Sequence, residues 1–251
     1  VALAHHVARG DDVHVLTCTL GEEGEVIPAP LAHLEGAAGD PLAHHRRGEL
    51  TAAMRSLGVV HHLLGASSGD AAATYRDSGM AGSAAAEHPR AWVGADLEEA
   101  AAAIRAVIDE VRPDVVVTYD ATGGYGHPDH VRTHDATVRA VAGTAVRPVL
   151  YVTLTPQSWV LQDREWLAEH VPGDRGLIVP GPDDPFASSV VPEAVVTHAV
   201  LDPSVVAAQS QALRCHETQV VVGDGWYALS NHVVSRLAGR EGYGRLDPLT
   251  G

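Results

Sequence analysis

"RPDVVVTYDATGGYGHPDH", residues 112–130, predicts the unit on which the fold is built. The apolar run Val115–Tyr119 has the length and the β-branched content of a buried strand. Three glycines follow within a short loop, and Pro128 stands where a helix would begin, because proline suits the first helical position. The stretch therefore predicts a strand, a tight loop and a helix that runs to about Val141.

Helical and strand patterns alternate along residues 1–155. The expected helices end at Gly10 and cover 40–57 and 97–111, and the expected strands cover 13–20, 59–64 and 149–154. Asp96 and Glu99 form a capping pair at the start of the third of these helices. A polar, glycine-rich excursion over 65–83 interrupts the series. The alternation favours an α/β protein with a mainly parallel sheet and helices on both faces.

The pattern changes after residue 155, where proline- and glycine-rich loops become frequent. A strand is expected at 194–200, and Asp202 with Pro203 is expected to open a helix that ends at Leu213. The tail from Gly239 is expected to be loosely ordered, as chain ends often are. These features predict a core of residues 1–155 and a smaller C-terminal cap of residues 156–251, packed on the core.

Charge and cysteine content limit the classes of partner. The formal net charge is −15, which argues against binding nucleic acid or an anionic membrane surface. No stretch approaches the roughly 20 apolar residues of a membrane span. Two cysteines without a C-x-x-C motif are too few for a disulfide framework. We therefore expect a cytoplasmic protein that binds neither nucleic acid nor membranes.

Two histidines mark the loop after the central strand as a candidate site. His127 and His130 are three positions apart around the start of a helix, so both imidazoles can face one cleft. Ligands in parallel sheets bind beyond the carboxyl ends of the strands, where this loop lies. Chance remains an alternative, because the chain has 16 histidines. A metal site needs further protein ligands.

Other catalytic patterns find little support. Cys215 and His216 are adjacent, so their side chains diverge and a cysteine-protease pair is not expected. No G-x-G-x-x-G motif follows a strand, and no phosphate-binding P-loop is present, so dinucleotide and ATP sites are not supported.

Four motifs together resemble the LmbE-like (PIG-L) family of zinc-dependent N-acetylglucosamine deacetylases. They are "LTCTLGEEGEV" (16–26), "RDSGMAG" (76–82), the stretch quoted above and "HETQVVVG" (216–223). The resemblance implies a Rossmann-like core. It also implies metal-dependent hydrolysis of the N-acetyl group of N-acetylglucosaminyl-inositol, a step of mycothiol biosynthesis. Mycothiol S-conjugate amidase and other amino-sugar deacetylation remain alternatives.

The resemblance also implies roles for individual residues. His130 is the expected zinc ligand, with Asp129 beside it. His127 is expected to be the protonated donor that stabilises the oxyanion and assists departure of the amine, and Tyr125 to help at the oxyanion. The substrate hydroxyls are expected to contact the charged residues Arg46, Asp77 and Glu25.

One family motif is missing from the printed sequence. The family carries an H-P-D-D motif at the end of its first strand, which supplies a histidine and an aspartate to zinc and a second aspartate as general base. In this sequence "GHPDH" holds the only H-P-D. We therefore expect the motif upstream of Val1, and expect the chain as printed to be inactive. A non-catalytic sugar-binding protein is the alternative, and Fe²⁺ also suits such a ligand set.

Overall fold

The structure, a computed structural model, describes residues 1–65, 74–173 and 176–250. Part of the glycine-rich excursion, 66–73, lies outside the described residues. The helices are α1 (Ala2–Arg9), α2 (Pro41–Leu57), α3 (Leu97–Val111), the single turn α4 (Gly123–Gly126), α5 (Pro128–Gly143), α6 (Gln157–His170) and α7 (Val206–Arg214). Across the described ranges, none of them combines the length and the apolar character that a membrane span requires.

The strands form three sheets. They are β1 (His14–Thr17), β2 (Val60–Leu63), β3 (Val115–Thr118), β4 (Val149–Pro156), β5 (Val190–Val191), β6 (His198–Leu201), β7 (Val221–Val222), β8 (Trp226–Ala228), β9 (Val234–Arg236) and β10 (Arg240–Leu246). β1 and β2 pair in parallel. The central sheet has the order β3-β4-β10-β6, with β5 also paired to β4, and β7-β8-β9 form an antiparallel sheet.

The α/β class is confirmed, although the central sheet is mixed in direction. β3 and β5 run parallel to β4, as the alternation of strands and helices predicts. β10 runs antiparallel to both β4 and β6. The later part of the chain therefore inserts a reversed strand into the sheet that the earlier part begins.

The expectation of a loosely ordered tail from Gly239 is wrong. Residues 240–246 form β10, which lies between two other strands. A Cβ atom at Gly242 would come within 2.7 Å of the Leu154 carbonyl oxygen, and one at Gly244 within 2.7 Å of the Leu154 side chain. These glycines allow the close approach of β4, and they also remove the apolar alternation by which a strand is recognised in sequence.

Sequence patterns located most helices of residues 1–155, but they did not locate α6 in the later part of the chain. α3 begins and ends where it was expected, and α2 does so within one residue. α6 was not expected, because its apolar side chains are spread around the helix and form no stripe. The division at residue 155 stays a prediction. β4 spans that position, and β10 and β6 join the same sheet from beyond it, so any such division would cut one sheet.

Helices α3 and α5 pack together over the main core, which also holds Leu16 of β1 and Val116 of β3. Trp92 lies in this core with no solvent exposure. Its indole Nε1–H donates to the Asp129 carbonyl at 3.2 Å and to Thr133 Oγ1 at 3.0 Å. The first turn of α5 is thereby fixed to the core just where the histidine loop ends.

In the part of the chain that the structure describes, β1 in the two-stranded sheet and β3 in the central sheet each have one free edge. β1 pairs only with β2 among the described strands, and β3 pairs only with β4. Val115 and Val117, alternate residues on one face of β3, are each 49% exposed. Parallel strands with a free edge and exposed valines are unusual, because parallel sheets are normally buried on both faces.

The N-cap of α3 gives a stability test. Asp96 accepts hydrogen bonds from the amides of Glu98 and Glu99 at 2.9 and 3.0 Å. Asp96→Ala leaves these amides without the side-chain acceptor, so we expect the free energy of unfolding to fall by about 1 kcal/mol, measured by urea denaturation. Asp96→Asn keeps an acceptor and should lose much less; equal losses in both variants would contradict a capping role.

Candidate active site around the histidine loop

A buried carboxylate sets the path of the histidine loop. Asp120 follows β3 and accepts hydrogen bonds from the amide of Thr122 at 2.7 Å and from the amide of Gly124 at 2.9 Å. The loop therefore turns back over the end of the strand. This turn delivers Tyr125 and His127 to the carboxyl edge of the sheet.

Gly123 is required by both conformation and space. Its φ angle is +68°, in the left-handed region that glycine adopts without strain. A Cβ atom there would lie 2.9 Å from the Cβ atom of His130. The loop thus lies directly against the first turn of α5, and a larger residue would push His130 away.

The hydrogen bonding of His130 determines which of its nitrogens can bind a metal. Its Nδ1 lies 3.1 Å from the carbonyl oxygen of Gly123. Because a carbonyl only accepts, Nδ1 must carry the proton, and Nε2 is left with a free lone pair. A histidine held in this way through one nitrogen is typical of a metal ligand.

Aromatic rings surround His130. Tyr119 stacks on the imidazole, with centroids 4.0 Å apart and planes within 5°. Tyr125 meets it edge-on at 5.3 Å, and the His127 ring lies at 4.8 Å. The structure therefore brings together three of the residues expected in the site. Tyr119 was not expected there, although its position at the end of β3 could have indicated it.

Burial and a neighbouring imidazole both disfavour the charged form of His130. Loss of solvent around the ring lowers its pKa from the ordinary value of 6.5, and the nearby His127 lowers it further. His130 is therefore neutral over a wider pH range than a free histidine. Only the neutral form can offer Nε2 to a metal.

His127 caps α5 and is held in the opposite tautomer. Its Nδ1 accepts the backbone amide of Asp129 at 3.2 Å, so the ring proton is on Nε2. The protonated form expected from the sequence would have to give up this cap, because a protonated Nδ1 cannot accept. As folded, His127 offers an Nε2–H donor.

Asp129 points into the protein and not toward solvent. Oδ2 accepts the amide of Ser78 at 3.1 Å, whereas the buried Oδ1 has no hydrogen-bond partner among the described residues. Burial raises the pKa of this carboxyl above its ordinary range. The position beside His130 fits the expected neighbour role, and the unsatisfied oxygen marks a place where a further donor would be favourable.

Asp77 lies next to this group through Ser78. It is buried, and its Oδ1 accepts the amide of Gly79 at 2.9 Å. The amide of Asp77 donates to Glu22 Oε2 at 3.0 Å, which ties the segment to the loop after β1. The structure thus places this expected substrate contact at the histidine loop.

Arg46 is placed differently from the expectation for a substrate contact. Its guanidinium is buried and donates to the carbonyl oxygens of Gly21 and Glu25, and its Nε–H to Thr218 Oγ1 at 3.3 Å. Glu25 itself is exposed, and its contact with Arg46 is through the backbone. As folded, Arg46 joins α2, the 21–25 loop and the turn at residue 218.

The residues around His130 offer only part of a zinc site. His130 Nε2 fits as one ligand, but catalytic zinc needs three protein ligands. Within the described ranges, the group of three metal-ligating side chains with close donor atoms is His45, Glu49 and Glu217, on α2 and near residue 218. It does not include His130. The described part of the chain therefore supplies no complete ligand set at the histidine loop.

A segment from the C-terminal part also holds the loop, and nothing in the sequence indicated it. The amide of Ser189 donates to the Gly124 carbonyl at 3.0 Å, and Ser188 Oγ donates to the same oxygen at 3.2 Å. Ser189 is itself tied to β4 through the amide of Thr155. The two contacts with Gly124 join residues more than 60 positions apart, so no local pattern predicts them.

Comparison with known proteins identifies the family. The family model described as PIG-L, GlcNAc-PI de-N-acetylase, matches residues 1–141. The chain belongs to the PIG-L family. A relative from Streptomyces avermitilis is 42% identical over 96% of this chain and 84% of its own length. Another, from Mycolicibacterium smegmatis, is 45% identical over 96% of this chain and 82% of its own.

Both relatives are named 1D-myo-inositol 2-acetamido-2-deoxy-alpha-D-glucopyranoside deacetylase. Among solved structures, the zinc-inhibited form of teicoplanin deacetylase Orf2 is similar at a TM-score of 0.54 and 21% identity. The similarity covers 98% of this chain and 92% of that one. At this identity the structural likeness supports the fold of the PIG-L protein and not its substrate.

The contacts of Arg46 predict a structural cost of removing it. Arg46→Ala would remove the hydrogen bonds that the buried guanidinium makes to Gly21, Glu25 and Thr218, so we expect the free energy of unfolding to fall by about 3 kcal/mol, measured by chemical denaturation. Arg55→Ala, at an exposed position of the same helix, should change it little. A loss at Arg46 no greater than that at Arg55 would contradict the bracing role.

His130 should be harder to protonate than a free histidine. We expect NMR titration of this chain to give His130 a pKa below 6.5, and His127→Ala to raise it, because the neighbouring imidazole that disfavours a charge on His130 is removed. Because protonation is disfavoured in the folded state, His130 also makes stability fall as the pH drops below 6.5. His134→Ala, at a partly buried ring bonded to the Tyr119 carbonyl, is the control; a His130 pKa that is unchanged in His127→Ala would contradict the effect of His127.

Proposed function

We propose that this PIG-L protein is a zinc-dependent N-deacetylase of the cytoplasm. It hydrolyses the N-acetyl group of N-acetylglucosaminyl-inositol to acetate and the free amine, as a step of mycothiol biosynthesis. The observation that carries the proposal is the pairing of His127 and His130 in opposite tautomers at the carboxyl edge of the sheet. One ring offers a lone pair and the other offers a proton, as metal-assisted amide hydrolysis requires. The names of the relatives support the substrate.

Two residues of the loop would stabilise the transition state. His127 Nε2–H is a donor for the oxygen that becomes negative as the amide carbonyl is attacked. Tyr125 lies on the same loop with more than half of its surface exposed, and its hydroxyl would be the second donor. To protonate the departing amine, His127 would first take up a second proton at Nδ1, which releases the cap to the Asp129 amide.

His130 would hold the metal through Nε2, with its orientation set by Gly123. When a divalent metal is bound, the chemistry it supplies is polarisation of the carbonyl and activation of a water. Asp129 would keep the first turn of α5 in position through Ser78. Its buried Oδ1, which has no hydrogen-bond partner among the described residues, would accept a hydrogen bond from a polar group at the site.

The sugar and inositol hydroxyls would be bound by carboxylates beside the loop. Asp77 is adjacent to Asp129 through Ser78, and a carboxylate forms strong hydrogen bonds with hydroxyl donors. The backbone carbonyl of Glu25 accepts a hydrogen bond from Arg46, and the Glu25 side chain is exposed. Arg46 would support this surface from below by holding the backbone of the loop.

We further propose that the missing ligands lie on a strand that pairs with the free edges of β1 and β3. Such a strand would join the two sheets, cover Val115 and Val117, and end beside His130. It would carry the H-P-D-D motif that the family resemblance implies. Residues 1–251 alone would then bind zinc weakly and release no acetate, whereas a chain extended by this strand would do both.

The assay is acetate release by the extended chain, with N-acetylglucosaminyl-inositol and a mycothiol S-conjugate compared side by side. We expect His130→Ala to lose both zinc and activity, because a protein ligand is removed. We expect His127→Ala to keep zinc while kcat falls by roughly 10²–10³, as for the loss of an oxyanion donor. Zinc is measured by elemental analysis of each purified variant.

His134→Ala serves as the matched control and should keep both zinc and kcat. Stoichiometric zinc in His130→Ala would remove His130 from the ligand set. Loss of zinc in His127→Ala would make that residue a ligand and not a donor. Preferential cleavage of the S-conjugate would replace the proposed substrate.

A further inference from the structure

A second group of metal-ligating side chains lies away from the histidine loop. His45 and Glu49 are one turn apart on α2, and Glu217 approaches from the segment after α7. His45 Nε2 is 3.6 Å from Glu49 Oε1 and 3.4 Å from Glu217 Oε1. All three donor atoms lie within 4.8 Å of one another.

The spacing of these atoms differs from that of ordinary ion pairs. A charge-assisted N–H···O bond is about 2.7–2.9 Å long, so both contacts of His45 are too long for a well-formed one. Two ligands bound tetrahedrally at about 2.1 Å from a zinc-like ion are roughly 3.4 Å apart. The two distances from His45 are therefore closer to the spacing of ligands around a metal than to that of hydrogen-bonding partners.

Neighbouring groups hold the buried ligand in place. The side chain of Glu49 is only 4% exposed. Its Oε1 accepts the amide of Thr218 at 2.7 Å, and its Oε2 accepts Thr218 Oγ1 at 2.8 Å and Gln219 Nε2 at 3.2 Å. Hydrogen bonds to a ligating carboxylate from a separate segment are typical of built metal sites.

We propose that His45, Glu49 and Glu217 bind a divalent first-row transition metal, such as Zn²⁺ or Co²⁺. One imidazole and two carboxylates suit these ions, whereas Mg²⁺ and Ca²⁺ prefer oxygen ligands alone. Glu217 is 61% exposed, so the ion can enter from solvent and keep water in its remaining positions. The inference is independent of the proposed deacetylase activity, because it uses none of its residues.

The bound metal would brace the part of the fold that supports the 21–25 loop. Thr218 Oγ1 donates to Glu49 and accepts from Arg46, which in turn holds the carbonyls of Gly21 and Glu25. An ion bound by both α2 and Glu217 would hold the turn at Thr218 against α2, where Glu49 and Arg46 lie. Metal binding should therefore raise the melting temperature of the protein.

The test uses Co²⁺, whose visible absorption reports ligation, on residues 1–251 carrying His130→Ala, so that the histidine loop cannot contribute its ligand. We expect one equivalent to bind, Zn²⁺ to displace it, and Mg²⁺ in excess to have no effect. In the same background, Glu217→Gln and His45→Gln should each weaken binding by more than about tenfold, since each removes a ligand. They should also abolish the rise in melting temperature with Zn²⁺.

Glu165→Gln, at an exposed glutamate of α6, is the matched control and should bind Co²⁺ as its parent does. Circular dichroism will show that the Glu217 variant is folded, because that side chain is largely in solvent. Absence of binding at millimolar Co²⁺ would overturn the proposal. Co²⁺ binding that persists in both ligand variants, or that excess Mg²⁺ abolishes, would indicate nonspecific binding to an acidic surface and would also overturn the proposal.

Discussion

The hydrogen bond between His130 Nδ1 and the Gly123 carbonyl is the contact on which the candidate site depends. It fixes the tautomer of the imidazole, and it exists only because Gly123 has a positive φ angle and no side chain. Asp120 in turn holds the loop in the path that brings this carbonyl to the helix. A change in any of these three residues would alter which ring nitrogen is free.

The site is supported by segments that are far apart in the sequence. Trp92 and Ser78, which precede α5 in the sequence, donate hydrogen bonds to its first turn. Ser188 and Ser189 hold Gly124 from the later part, next to a sheet that β10 completes. The segments before and after residue 155 therefore share both the sheet and the support of the loop.

A comparable arrangement surrounds Arg46. A buried arginine is costly unless its donors are satisfied, and here two loop carbonyls and the Thr218 hydroxyl satisfy them. Glu49 organises the same turn from the other side. Membership of the PIG-L family explains why the motifs recur, and these contacts show what two of them, "GEEGEV" and "HETQ", do in the fold.

The sequence alone determined the α/β class, the bounds of α3 and the position of the histidine loop, because these depend on local periodicity, capping and proline. It also indicated His127, His130, Tyr125 and Asp129 as neighbours, since they lie within six residues of one another. Only the tertiary structure decided the reversed strand β10, whose glycines hide its pattern while permitting close packing. It alone decided that the Arg46 guanidinium faces loop carbonyls and that Ser189 supports Gly124. Such contacts depend on how distant segments meet, and hydrogen bonds between distant segments leave no periodic signal along the chain.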